Sequence, residues 1–363
     1  MNTSVLLLSP MLTSKLLLDD VVDWLLSHES PSIRYFALRD LKGVSLSDSS
    51  ASRIQSEIAE WGPVAGLLAK QDSKGYWALP EDCYWPKWTG TIWNVILLGE
   101  MGISSSHPSV VAGCEYLLNA AMSQDKSWPP PKSRSDQEAY RSLWEPCVTG
   151  NMARTLTVFG YGQDLRVRSM FEFLVRTQLP DGGWNCEFGE WGVKISHSSF
   201  MSTIEPLWAF SELDRNLWPK GSKDVGDRAA EFLLVHRLYK SDQTGKVIDE
   251  EWTRLHFPLF YFYDILHGLR VLADLGYGSD ERVSDALQLI QQKQLADGTW
   301  PMESTYVNAL RWNYLKDPAT GAWHEERREN TAVIPEIYHH LGKVGERNPW
   351  ITLNVLRTLK KLS

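Results

Sequence analysis

Apolar residues recur along this chain at helical spacing, in two distinct styles. Val167, Met170, Phe171 and Leu174 fall at i, i+3, i+4 and i+7, and Val283, Ala286, Leu287 and Ile290 repeat that spacing before Gln294. Each set lays one apolar stripe along an otherwise polar helix. The same pattern predicts amphipathic helices over 19–28, 50–70 with a break at Gly62-Pro63, 107–122, 164–178, 223–236 and 280–294. Between them lie stretches that are apolar or small on most sides: 31–42, 88–101, 145–160, 199–213, 258–275 and 349–361. A helix with no polar face has to be buried. The alternation therefore predicts an all-α fold of six helix pairs, an inner set inside an outer set. Closure into an (α/α)6 toroid is expected over an open solenoid, because the inner helices have little polar surface to show water.

A repeat supports the pairing. Gln-x-x-x-Gly-x-Trp occurs as Gln71…Gly75…Trp77, Gln178…Gly182…Trp184 and Gln294…Gly298…Trp300. The last two copies share a register with Gly160-Tyr161-Gly162-x-Asp164-x-Arg166-Val167 and Gly276-Tyr277-Gly278-x-Asp280-x-Arg282-Val283, and half that offset leads back to Gly102. The unit is thus about one helix pair. The glycine permits a left-handed turn after the helix, over which the tryptophan folds back as a clasp. Two segments break the rhythm: 123–144, with Trp128-Pro129-Pro130-Pro131, and 301–348, with the turn residues Asp317-Pro318-Ala319-Thr320-Gly321 and the charged run Glu325-Glu326-Arg327-Arg328-Glu329. The first reads as an exposed loop. The second reads as a loop inserted into a single domain spanning 1–363, either a lid or a surface excursion.

Composition narrows the function. Of 363 residues 43% are hydrophobic, ample for a core, and the formal net charge of −8 argues against a nucleic-acid partner. The four cysteines, at 83, 114, 147 and 186, form no C-x-x-C pair, and the apolar N-terminal stretch lacks a basic start and is broken by Ser9-Pro10. A reduced, cytoplasmic protein without a secretory signal is expected. No apolar run approaches the roughly 20 residues of a spanning helix, which leaves only peripheral membrane contact open.

The Gln…Gly…Trp clasps, above all Gln178-Leu179-Pro180-Asp181-Gly182-Gly183-Trp184, resemble the QW repeats of squalene-hopene and oxidosqualene cyclases. The helix-pair rhythm is similar to the α/α toroid those enzymes share with protein prenyltransferase β-subunits. Pro31-Ser32-Ile33-Arg34-Tyr35, Pro86-Lys87-Trp88-Thr89, Glu145-Pro146-Cys147-Val148-Thr149-Gly150, His197-Ser198-Ser199-Phe200 and Arg357-Thr358-Leu359 resemble bacterial single-toroid proteins of prenyltransferase-like or cyclase-like type. The D-x-D-D acid of class II cyclases is absent from the chain, and 363 residues hold one toroid where those cyclases use two. The resemblance therefore leans toward the prenyltransferase side. It implies an isoprenoid-related enzyme that holds a hydrophobic small molecule.

In prenyltransferase β-subunits Asp-x-Cys and a later His bind Zn²⁺. Glu145-Pro146-Cys147 and His197 occupy comparable places here, and carboxylate, thiolate and imidazole suit Zn²⁺ with one position left for substrate or water. The alternative is a small buried Cys147 and a hydrogen-bonding His197. Asp19-Asp20-Val21-Val22-Asp23 matches the D-D-x-x-D that binds Mg²⁺-diphosphate in class I terpene synthases. It sits in the first turn of an outer helix, where carboxylates offset the helix dipole, so Mg²⁺ is the less favoured cation.

Aromatic residues gather at Trp85, Trp88 and Trp93 and in His256-Phe257-Pro258-Leu259-Phe260-Tyr261-Phe262-Tyr263-Asp264. Such rings suit carbocations, sugars or plain core packing. Trp88, Phe257 and Tyr263, at helix starts, are the candidates for a lumen. Asp264 and His267 share a helical face as a candidate acid/base or metal-binding pair, and a buried Asp264 would have the raised pKa of an acid catalyst. Arg34 and Tyr35, with Lys87, are candidates for an anionic head group. Two other readings stay open: a carbohydrate-active (α/α)6 glycosidase or lyase, and a non-catalytic ligand-binding or scaffold toroid.

Overall fold

Short acidic side chains open several helices and glycine closes others. Asp48 accepts from Ser50 N at 2.8 Å, Asp164 from Arg166 N at 2.8 Å and Asp264 from His267 N at 2.7 Å, each meeting a backbone donor that a first helical turn leaves bare. Gly102 and Gly276 end their helices in the left-handed conformation. This computed structural model describes residues 15–45, 48–80, 82–84, 86–123, 145–186, 197–305, 311–316, 323–328 and 335–362. Among them the helices are α1 (Lys15–Leu26), α2 (Pro31–Phe36), α3 (Ser49–Glu60), α4 (Gly62–Leu68), α5 (Thr91–Met101), α6 (Pro108–Ser123), α7 (Pro146–Leu156), α8 (Leu165–Thr177), α9 (Phe200–Glu212), α10 (Ser222–Val235), α11 (Ile265–Leu275), α12 (Ser284–Gln292) and α13 (Pro349–Leu362). Wider π-helical turns continue α2 over Ala37–Leu41 and α7 over Thr157–Tyr161.

Helices build the body of the chain, as an all-α fold requires, and the alternation of helix styles holds. Every residue of α7 is buried, and so is every residue of α5 except Glu100. On α8 burial is confined to Val167, Met170, Phe171, Phe173 and Leu174. The expected break at Gly62-Pro63 separates α3 from α4. The expected helix over 258–275 starts only at Ile265, because Pro258 lacks an N–H, Phe260 has a positive φ and Asp264 is the cap.

The buried helices touch in chain order. Ser32 of α2 reaches Met101 of α5 at 3.8 Å. Gly99 of α5 faces Thr155 of α7, where an added Cβ would come within 3.3 Å of the methyl. At Gly150, α7 lies so close to α9 that a Cβ would stand 2.6 Å from the Glu205 carbonyl carbon. Trp208 of α9 packs edge-on against His267 of α11, and α11 packs against α13. The last helix then returns to the first: Arg357 Nε donates to Asp40 at 2.6 Å, and the rings of Trp350 and Phe36 meet at 6.4 Å.

The three clasps use one set of bonds. Trp77, Trp184 and Trp300 donate Nε1–H to the carbonyls of Leu67, Leu174 and Ile290, near the ends of α4, α8 and α12, at 2.9, 3.0 and 2.8 Å. Gln71, Gln178 and Gln294 donate to the carbonyls of Gly75, Gly182 and Gly298 at 3.0, 2.6 and 3.0 Å. The backbone N–H of each tryptophan donates to the hydroxyl of a threonine of the next buried helix, Thr91, Thr203 or Thr352. Gly182 needs its φ of 105°, and a Cβ there would stand 2.5 Å from the Arg228 carbonyl oxygen of α10. The second repeated motif is a tie between outer helices: Arg166 bonds Asp164 and Glu115, and Arg282 bonds Asp280 and Glu231.

The segment expected as loop over 301–348 contains a hairpin. Strand β1 (Arg311–Lys316) pairs antiparallel with β2 (Trp323–Arg328), Arg311 opposite Arg328 and Lys316 opposite Trp323. Glu325–Arg328, expected as a solvated run, stands in β2; aromatic residues on both arms favour strand pairing. The expected loop at 124–144 and the turn residues Asp317 to Gly321 lie outside the described residues.

Trp184→Ala removes a fully buried ring together with its Leu174 bond, so a loss of about 3–5 kcal/mol of unfolding free energy is expected in a urea titration. A midpoint equal to that of the parent would contradict the clasp as a structural tie.

Candidate functional site

The start of α7 and the stretch after the second clasp bring two thiols together. Glu145 is the N-cap of α7 and Pro146 its first residue, which sets Cys147 in the first turn. Cys186 follows Trp184 by two residues and is pinned to α9: its N–H donates to Ser202 Oγ at 3.1 Å, and that hydroxyl reaches the Cys186 sulfur at 3.1 Å. The two sulfurs lie 2.7 Å apart, Cys147 Sγ lies 3.9 Å from Glu145 Oε2, and the three ligand atoms all fall within 4.8 Å of one another. All four cysteines of the chain are free thiols.

Glu205 joins this group from α9. It is fully buried, and neither carboxylate oxygen has a hydrogen-bond partner among the described residues. Burial holds its pKa well above the usual carboxylate range, with nearby Arg154 opposing and Glu100 and Cys186 adding to the rise. The Cys147 thiol is held up by its contact with Cys186, by burial and by the charges of Cys186, Glu145 and Glu205. Four acidic groups thus crowd one another, and Cys147 and Glu205 resist losing their protons.

An aromatic wall adjoins the group. Burial raises the Tyr84 phenol, and Tyr261, Glu145, Cys147 and Cys186 raise it further, which places the ring beside the thiols. Tyr84 meets Trp93 at 5.0 Å; Trp88 meets Trp93 at 5.0 Å and stacks on Phe260 at 5.2 Å and Tyr261 at 5.6 Å. Lys87 Nζ lies 5.0 Å from the Tyr261 ring centroid and donates to its hydroxyl at 3.1 Å. Asn151 of α7 donates to the Phe260 carbonyl at 2.8 Å, anchoring this wall to the helix that carries Cys147. Trp88 and Phe260 both have positive φ, 72° and 47°, which bulky side chains adopt only when their surroundings enforce it.

Of the candidate residues expected from the sequence, Glu145 and Cys147 stand in this cluster and Trp88 and Lys87 in its aromatic wall, while the others stand elsewhere. His197 is exposed and lines a separate cavity of about 510 Å³ with Asp181, His236 and Trp252; its place beside Glu145 and Cys147 is taken by Cys186. Asp264 and His267 do not pair through their side chains, because Asp264 caps α11: its carboxylate accepts from the backbone N–H groups of His267 and, at 2.8 Å, His256. Burial pushes Asp264 up to about 7 against the pull of those N–H groups. Phe257 stacks on Trp350 at 4.6 Å, and Tyr263 packs on Phe200 and donates to the Leu238 carbonyl at 2.7 Å. Arg34 ties α2 to α3 through Glu57 at 2.5 Å, and Tyr35 packs against Phe36. Asp19, Asp20 and Asp23 are exposed on α1. Trp85 lies outside the described residues.

Cys186, Glu205, Arg154 and Trp208 went unnoticed in the sequence. Glu205 carried a signal, as the charge in the middle of the apolar run Phe200–Phe210. Cys186 carried none, since its register beside Cys147 is set by the clasp and by Ser202.

No family model and no curated protein matches the chain. One solved structure, described as the crystal structure of a protein from Actinoplanes, is similar over 95% of this chain and 98% of its own, at 16% identity and a TM-score of 0.45.

His256 adjoins the Asp264 cap and is wholly buried, which lowers it from 6.5 to about 3, with Arg254 adding to the fall. Its unfolded form takes up a proton first, so the stability tied to the neutral ring is complete above about pH 6.5 and is lost as pH falls toward 3. His256→Phe keeps the stack on Phe262 and removes the titration. Relative to pH 8, the parent is expected to lose on the order of 2 kcal/mol more than the variant at pH 5. Parallel pH profiles of unfolding free energy would refute this.

Proposed function

We propose that the chain is an isoprenoid-related enzyme of prenyltransferase-like or cyclase-like type. Its six helix pairs form a closed (α/α)6 toroid, and a hydrophobic substrate lies along the Tyr84–Trp88–Phe260 wall. One observation carries this reading: a cluster of two thiols and a carboxylate abuts an aromatic wall at the starts of buried helices.

The donor set fits a zinc ion held by Glu145, Cys147 and Cys186. A divalent cation would offset the charges of Cys186 and Glu145 that raise the Cys147 thiol, and two sulfurs with one oxygen suit Zn²⁺ better than Mg²⁺. Zinc bound there would supply Lewis acidity and thiolate activation. The residues of the chain do the rest. The π faces of Trp88, Trp93 and Phe260 favour developing positive charge and exclude water. Glu205, protonated by its burial, holds a transferable proton beside Cys186. Lys87, at the rim of the wall, offers an ammonium to an anionic leaving group.

As-purified protein is expected to carry about one zinc per chain by plasma mass spectrometry, falling at least tenfold in Cys147→Ala and Cys186→Ala. It is also expected to release diphosphate from a C10 to C20 prenyl diphosphate. Metal-free protein that also fails to turn over zinc-supplemented prenyl diphosphates would sink the proposal.

A further inference from the structure

A cavity of about 930 Å³ opens between α4 and the 3-10 turn Glu336–His340, large enough to enclose a small organic molecule. Gly62 and Gly66 stand on its α4 wall and Ile337 on the opposite one; Trp77 of the first clasp, Thr89 before α5 and Asn94 in the first turn of α5 line it as well. Trp61, which precedes α4, meets His340 edge-on at 6.3 Å and ties the two walls together. None of Glu145, Cys147 and Cys186 lines this cavity, so it is separate from the thiol cluster and does not rest on the isoprenoid reading.

Asn94 brings an unmet acceptor to this space. The residue is only 4% exposed, and its side-chain amide donates to the carbonyls of Thr89 at 2.8 Å and Gly90 at 3.1 Å. Both N–H groups are thereby used, which fixes the amide and turns Oδ1 away from those carbonyls into the cavity, where no donor among the described residues reaches it. Thr89 adds a second acceptor, because its hydroxyl proton goes to the Pro86 carbonyl at 3.5 Å and leaves the oxygen to accept. The α4 wall is bare. Gly62 and Gly66 lie one turn apart on one helical face, neither has a left-handed φ, and a Cβ added at either would meet nothing within 4 Å. Glycine inside a helix weakens it relative to alanine, and here neither backbone conformation nor packing among the described residues asks for it. Close approach of a ligand to the backbone does.

We propose that this cavity binds a neutral, largely apolar small molecule whose N–H or O–H donates to Asn94 Oδ1. The lining states each part of that description. Leu67, Trp77 and Ile337 give it an apolar body, Asn94 and Thr89 give it acceptors, and Lys70 and Glu336, opposite in sign, leave the lining without formal net charge when histidine is neutral. A ligand with a donor and no charge completes the set.

Indole and 1-methylindole, which share a ring system and differ in the donor, are titrated separately into the full chain by saturation-transfer nuclear magnetic resonance. Indole is expected to bind saturably and at least fivefold more tightly than 1-methylindole. Gly66→Leu fills the cavity from a helical position with open space beside it; it is expected to fold with a thermal midpoint no lower than that of the parent and to bind indole at least tenfold more weakly. Asn94→Ala is expected to erase the preference between the two probes. Three results overturn the site: no saturable indole binding, equal affinity of the parent for both probes, or parent-like indole binding by folded Gly66→Leu.

Discussion

Arg357 and Asp40 are separated by 317 residues and bond to each other, and much else follows from that contact. It joins the last buried helix to the first, with Lys360 adding bonds to the carbonyls of Asp40 and Leu41. Helices as apolar as α5 and α7 have no stable face to turn toward water, so each must be covered by neighbours on all sides. A chain of such helices with open ends would expose an inner helix at each end. The contact of α13 with α2 and the turn that follows it covers part of those faces. The pair is itself only slightly exposed, 11% for Arg357 and 22% for Asp40, and burial lowers the Arg357 pKa to about 10 while the Asp40 charge opposes the fall. Breaking one side of such a pair leaves the other charge uncompensated.

The clasps fix how far each outer helix stands from the next inner one. The tryptophan reaches back to its own helix through the indole N–H and forward to a threonine through the backbone N–H, so one residue sets both distances. That geometry also explains the thiol cluster. Trp184 is held by Leu174 and Thr203, and two residues later the chain can only deliver Cys186 beside Ser202 and thence to Cys147. The candidate site is thus a by-product of the same repeat that organises the fold.

Elements whose physics is local were legible in the sequence. The stripes at i, i+3, i+4 and i+7, the break at Gly62-Pro63 and the Gln…Gly…Trp spacing all act within one helix or one turn. The threonine partners were not legible, because Thr91, Thr203 and Thr352 follow their tryptophans by 14, 19 and 52 residues, the longest interval holding the hairpin. Trp88 was expected at the site through its place at a helix start, whereas Phe257 and Tyr263, expected on the same ground, pack elsewhere: helix starts alone do not say which way a ring turns. Asp264 was expected as an acid from its aromatic surroundings, and its burial does raise its pKa. Its position at the N-cap of α11, which engages both oxygens, depends on where Pro258 and Phe260 delay the helix.

The joining of the two ends is tested most directly by a double-mutant cycle on Asp40→Asn and Arg357→Gln, read as unfolding free energies. Each single variant is expected to lose about 3–5 kcal/mol, and the double variant less than their sum by more than about 1 kcal/mol. Strict additivity would mean that Asp40 and Arg357 do not interact, and that this pair does not join the last helix to the first.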